Sequence, residues 1–126
     1  MSLEPPFDKE GIYVEDRKLH VIGARYIAMV ANALANETRV KILQHIASRP
    51  ADLDELAKVV GQSKANISSQ IRKLENVNIV RATYTPGNRG IRKLVELNVD
   101  KIIFHITTRK KKELALREGG LEQAYK

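Results

Sequence analysis

The sequence predicts a mainly helical chain with one small β-hairpin, an α+β fold built as a single domain. Three observations carry this. Apolar residues recur at spacings of three and four from about Asp16 to Asn76, and polar caps and glycines divide that stretch into four helices. Two β-rich runs, Ile79–Thr85 and Ile91–Leu97, then flank the turn sequence PGNRG. With 126 residues and 43% hydrophobic content, the chain can bury one core but not two of ordinary size.

Residues 1–15 carry Pro5, Pro6 and Gly11 among charges and are expected to form a flexible arm, with a short extended piece at Ile12–Val14. From Asp16 a first helix is expected, because Leu19, Ile22, Tyr26, Met29, Val30 and Ala33 follow helical spacing while Ile27 and Leu34 widen the apolar surface. Such a helix packs on two sides, either within the domain or against a second subunit. Asn36 caps the second helix, whose apolar residues are Val40, Ile42, Leu43, Ile46 and Ala47. Asp52 with Glu55 forms a capping box for a short third helix, which Gly61 stops. Ser63 caps the fourth, running to about Asn76.

Beyond Leu97 the stretch KIIFHITT is rich in β-branched residues. Asp100 as a cap, and the shared face of Val99, Ile102, Ile103 and Ile106, instead favour a helix from Asp100 to Glu118 ended by Gly119 and Gly120. The expected organisation is therefore an arm (1–15), a compact unit (16–98) and a C-terminal dimerisation helix with a basic tail (99–126).

Two helices joined by a short glycine-containing turn have helix-turn-helix spacing, and a hairpin directly after the second gives the winged arrangement. With Ile67 at zero and roughly 100° per residue, Ile71 and Leu74 fall within about 40° of it and form the buried side. Opposite lie Ala65, Ser69, Arg72, Lys73 and Asn76, with Asn66 and Ser68 on the flanks and Lys64 in the first turn. Small side chains let a helix approach a major groove, and the polar ones can then bond to it. Lys64 would reach a guanine edge or a phosphate, Ala65 a thymine methyl, Ser68 and Ser69 either donors or acceptors, and Arg72 and Lys73 the phosphates. Gln70 lies nearer the core. At the hairpin tip Asn88, Arg89, Arg92 and Lys93 form a basic finger suited to a minor groove or a phosphate run.

Charge placement agrees with a polyanionic partner. Residues 1–62 hold 8 Lys/Arg against 9 Asp/Glu, whereas residues 63–126 hold 14 against 6, and the chain as a whole carries +7. The bland account, a solvated basic tail, is fed by Arg109, Lys110, Lys111 and Lys112. No stretch of eighteen apolar residues is present, so a membrane partner is not expected and the protein is expected in the cytoplasm. The absence of cysteine removes disulfides, thiolate catalysis and thiolate metal sites. No phosphate-binding glycine loop or glycine-flanked serine nucleophile occurs, and the acidic residues sit mostly at helix starts, so no enzyme is expected.

The stretches ANALANETRVKILQHIA and LDELAKVVGQSKANISSQIRKLENVNIV resemble ArsR-type winged helix-turn-helix regulators. The resemblance falls on Ala33, Leu34, Arg39, Ile42 and Leu43, then on Glu55, Leu56, Ala57, Ser63, Ile67, Ser68, Leu74 and Val80, and spans roughly residues 21–98. It implies a homodimer on a palindromic operator in double-stranded DNA, with the first and last helices forming the dimer contact and Lys64, Ala65, Ser68 and Ser69 facing the bases. Many such regulators sense metals through cysteines or through aspartate and histidine pairs. This chain has no cysteine, and His20, His45 and His105 lack paired ligand spacing, so no metal or other cofactor is expected. His20 and His105 would meet if the terminal helices pack together, which would allow a metal site at a dimer interface, but isolated histidines on helix surfaces are the expectation. Any small-molecule effector is unknown.

Two other functions fit a winged helix. An architectural, weakly sequence-specific DNA-binding protein would use the basic tail. A protein-interaction module would need exposed Leu, Phe or Tyr on the outward side of residues 64–76, which carries none.

Overall fold

A computed structural model describes residues 9–88, 90–107 and 116–117. Ten elements follow in order: β1 (Gly11–Glu15), β2 (Lys18–Ile22), α1 (Ala24–Leu34), α2 (Glu37–Ile46), β3 (Ala51–Asp52), α3 (Leu53–Val60), α4 (Lys64–Asn76), β4 (Val80–Gly87), β5 (Gly90–Leu97) and β6 (Lys101–His105). They form the expected α+β winged helix-turn-helix, with a second small sheet at its base.

The helix caps lie where the side-chain chemistry puts them. Asn36 accepts from the Arg39 amide at 3.0 Å, Asp52 from the Glu55 amide at 2.8 Å and Ser63 from the Asn66 amide at 3.1 Å. Gly61 closes α3 at φ 77°, a left-handed conformation that costs glycine little. Leu56, Ile67, Ile71 and Leu74 are fully buried with Ile42, Val30 and Val95 in one core that joins all four helices to the wing. Each such side chain contributes about 1.5–3 kcal/mol relative to leaving it in water.

Two expectations fail at the ends. The helix expected from Asp16 begins only at Ala24, because residues 11–22 form a hairpin. Asp16 and Arg17 both take positive φ, 50° and 58°, as a two-residue hairpin turn demands, although neither is glycine. Gly23, at φ 99°, then breaks the strand from the helix, and a Cβ there would come within 2.8 Å of the Glu10 side chain. Leu19, which fits helical spacing in the sequence, instead shares the core-facing side of β2 with Val21.

The helix expected from Asp100 to Glu118 is also replaced at its start. β6 pairs in parallel with β2, Leu19 opposite Ile102 and Val21 opposite Phe104. Asp100, the presumed cap, is occupied elsewhere: its carboxylate accepts from Arg17 Nη2 at 2.9 Å and Nε at 3.0 Å, while its amide donates to the Arg17 carbonyl at 2.7 Å. With its cap diverted and β-branched residues following, the segment adds a strand. Of the later part of that expected helix only Leu116 and Arg117 are described, and both are helical; the tail from Arg109 to Lys112 and the arm before Lys9 lie outside the described residues.

Hydrogen bonds hold three carboxyls below their ordinary values. They are Asp52, through the Glu55 amide and then Arg92; Glu55, through His45 and Arg49; and Asp100, through Arg17. Because the folded values lie below the unfolded ones, the stability these groups contribute is complete above about pH 4.5, the ordinary value for Glu55, and is lost as pH falls through the depressed values. Thermal melts between pH 7 and pH 2 should show the transition temperature dropping below pH 4.5, and Asp100→Asn should lower it at pH 7 while making the acid dependence shallower.

Candidate nucleic-acid interface

α4 crosses the front of the domain with its apolar side, Ile67, Ile71 and Leu74, inaccessible to solvent. Lys64, Ala65, Asn66, Ser69, Arg72, Lys73 and Asn76 are exposed along the other side, and Ser68 is half-buried at its flank. All seven residues expected to face DNA from this helix therefore lie on the outward side or at its margin. Arg72 and Lys73 make no ion pair among the described residues, which leaves their charges available to a partner.

The outward amides are not loose. Asn66 donates to the Gln62 side chain and accepts from Gln70 at 3.3 Å, while Gln62 donates to Thr38 Oγ1 at 2.8 Å. Gln70 in turn accepts from Arg39 at 2.6 Å. Gln62, Asn66 and Gln70 thus form a ladder at spacings of four along one edge of α4, tied at one end to the start of α2 and at the other to a buried arginine. Sequence reasoning left Gln70 beside the core and gave Gln62 no part. The spacing of the three amides was the signal.

Arg39 is 6% exposed. Its guanidinium donates to the Ala33 carbonyl at 2.6 Å, to the Asn32 carbonyl at 3.0 Å and to Gln70. Asn32 and Ala33 belong to the last turn of α1, where unpaired carbonyls form the negative end of the helix dipole. The cation is thereby compensated without a carboxylate.

The wing pairs Val80–Gly87 with Gly90–Leu97 in antiparallel register, closing with Gly87 opposite Gly90. Asn88 is exposed at the tip, while Arg89 lies outside the described residues. Arg92 and Lys93 are held rather than extended as a free finger. Arg92 Nη2 pairs with Asp52 at 2.8 Å and half-buried Lys93 with Glu75 of α4 at 3.3 Å. These two contacts fix the wing against the starts and ends of the helices it flanks. A cleft of about 580 Å³ opens between the wing tip and the first turns of α3 and α4, with Asp54, Lys64, Asn88 and Arg92 on its walls.

Among the described residues no group of three or more His, Asp or Glu is arranged to hold a metal. His20 and His105 do meet, Nδ1 to Nε2 at 3.0 Å, through the pairing of β2 with β6 rather than through terminal helices. Burial and the neighbouring His20 push His105 below its ordinary value. No described helix is long and apolar enough to cross a membrane.

Replacing Arg39 by Ala would leave the Ala33 carbonyl and the Gln70 side-chain oxygen without this donor and the Asn32 carbonyl with only the Ala35 amide at 3.2 Å, a loss of roughly 2–4 kcal/mol. Denaturant unfolding should show it as a lowered midpoint; a change under about 0.5 kcal/mol, the range of ordinary surface substitutions, would reject this role.

Residues 36–82 match the profile of the bacterial regulatory proteins of the arsR family. No curated protein matches the chain. Among solved structures, the homodimeric winged helix-turn-helix DNA-binding domain of Mb0332 from Mycobacterium bovis, a possible ArsR-family transcriptional regulator, is 25% identical with a TM-score of 0.51. That likeness covers 57% of this chain and 63% of the other. A crystal structure of a possible transcriptional regulatory protein from Mycobacterium bovis is 22% identical over 79% of this chain and 88% of the other, with a TM-score of 0.51. Rv0081 from Mycobacterium tuberculosis is 22% identical over 80% of this chain and 90% of the other, with a TM-score of 0.52. These last two bear on the fold alone. The chain's likeness to the arsR family of bacterial regulatory proteins thus lies in residues 36–82, its helix-turn-helix and the start of its wing.

Proposed function

We infer that the protein is a sequence-specific regulator of transcription that binds double-stranded DNA as a homodimer on a palindromic operator. One observation carries the reading: α4 presents a continuous side of Lys64, Ala65, Asn66, Ser69, Arg72 and Lys73 to solvent, with no large apolar side chain on it. A major groove accepts such a helix, whereas a protein partner would need an anchoring apolar residue. Lys64, Ala65, Ser68 and Ser69 read base edges from the N-terminal turns, and Arg72 and Lys73 hold phosphates. Asn66, fixed on both sides by Gln62 and Gln70, presents its amide in one orientation. Asn88 at the wing tip approaches the adjacent minor groove.

The dimer is supported by α1, whose outward Ala24, Ala28, Met29 and Ala31 are exposed, and by the homodimeric state of the Mb0332 domain. Two copies of one interface make a two-fold axis, and a two-fold protein reads a palindrome.

Arg72→Ala and Lys73→Ala should each weaken binding to specific and scrambled duplexes alike and reduce the salt slope by about one, while Lys64→Gln and Ser69→Ala should change sequence preference. Binding titrations across salt test this; equal and negligible effects from all four substitutions would remove α4 from the interface. Sedimentation at micromolar concentration should give a dimer. A monomer there would remove the palindromic operator from the reading.

A further inference from the structure

The cleft between α4 and the wing is the one path that a phosphodiester strand can take if α4 enters a major groove and the wing a minor groove, since that strand is the wall between the two grooves. Lys64, Arg92 and Lys93 line the cleft with the carboxylates of Asp52 and Asp54, and the first two cations are paired with those carboxylates. Lys64 Nζ pairs with Asp54 Oδ1 at 2.9 Å, and Arg92 pairs with Asp52 Oδ2 at 2.8 Å. A phosphate entering here meets cations already engaged.

The two pairs differ in what holds the carboxylate. Asp52 is 19% exposed, caps α3 through its other oxygen, and receives both Nε and Nη2 of Arg92 at 2.8 Å. It cannot leave without uncapping the helix, so Arg92 acts as a strut between wing and α3. Asp54 is 74% exposed, its partner Lys64 is 62% exposed, and Lys64 is its only ion-pair partner among the described residues. This pair can open at little cost.

We propose that Asp54 is an internal competitor for Lys64, a carboxylate gate that suppresses binding to DNA lacking the preferred sequence. The proposal rests on the duplex-binding reading above. While Lys64 stays paired with Asp54 it neutralises no phosphate and releases no condensed cation, and passing to a phosphate would leave the carboxylate unpaired beside the strand. Non-specific binding, which depends on that release, gains little from Lys64. Where a guanine edge is positioned for Lys64, a direct hydrogen bond replaces the lost pair and the gate opens productively.

The test is binding of the full chain to a selected specific duplex and a scrambled duplex, by fluorescence anisotropy across salt, for wild type, Asp54→Asn, Lys64→Gln and the double variant. Asp54→Ser serves as a second replacement, with melting curves confirming that each variant folds. Asp54→Asn should tighten binding to the scrambled duplex by about two- to fivefold and steepen its salt slope by about 0.9, so that the ratio between specific and scrambled sites falls. In the Lys64→Gln background the same change should leave the slope where it was. An equal steepening in both backgrounds would mean that Asp54 merely repels phosphate, and the gate would be overturned. An unchanged wild-type-background slope would overturn it too. If the wild-type chain binds no duplex, the duplex-binding reading fails first and takes the gate with it.

Discussion

The buried guanidinium of Arg39 sits where the end of α1, the start of α2 and the middle of α4 converge, and the orientation of the outward helix depends on it. A cation taken out of water costs several kcal/mol unless its donors are satisfied. Here two are satisfied by the last carbonyls of α1 and one by Gln70, so the charge is stable only when all three helices are in place. The apolar contacts of Ile67, Ile71 and Leu74 hold α4 against the body without directing its rotation closely, because hydrophobic contact is not directional. The arginine supplies that direction. Through Gln70 it also reaches Asn66, Gln62 and Thr38, and the polar edge of α4 is held along three turns.

Electrostatics then divides the basic residues into two kinds. Arg92 and Lys93 tie the wing to Asp52 and Glu75 and act within the molecule. Arg72 and Lys73 stand exposed in the last turns of α4 with no ion pair among the described residues. A count of positive charges in the sequence treats all four alike, yet only the second pair has its charge uncommitted. The wing is accordingly held at its base by these two ion pairs.

The centre of the chain was legible in its sequence for a physical reason. Asn36, Asp52 and Ser63 each act on amides three residues away, and Gly61 acts on its own backbone, so these signals need no knowledge of the rest of the fold. The buried side of α4 and the hairpin around PGNRG are local in the same sense. The ends were misread where the deciding contact lies far away. Asp100 is a sound helix cap by local chemistry, but Arg17, 83 residues earlier, takes its carboxylate. Leu19 and Ile22 extend the helical spacing of α1 backwards, but pairing with β1 and β6 makes that segment a strand. The turn at Asp16 and Arg17 lacked the glycine or asparagine that would have announced a hairpin. The interface cations that prove to be internally paired were missed likewise, since Asp54 and Lys64 are brought together by the angle between two helices.

The parallel pairing of β2 with β6 also sets the order in which the molecule can be assembled during synthesis. β2 is made early and β6 after everything that lies between them, so the central strand of the basal sheet waits with one flank bare while the winged module completes itself. The sheet shuts like a clasp on a finished body. Leu19 and Val21 gain Ile102 and Phe104 as strand partners only at that step, and a ribosome-bound chain stopped short of Lys101 would carry β2 with that flank unpaired.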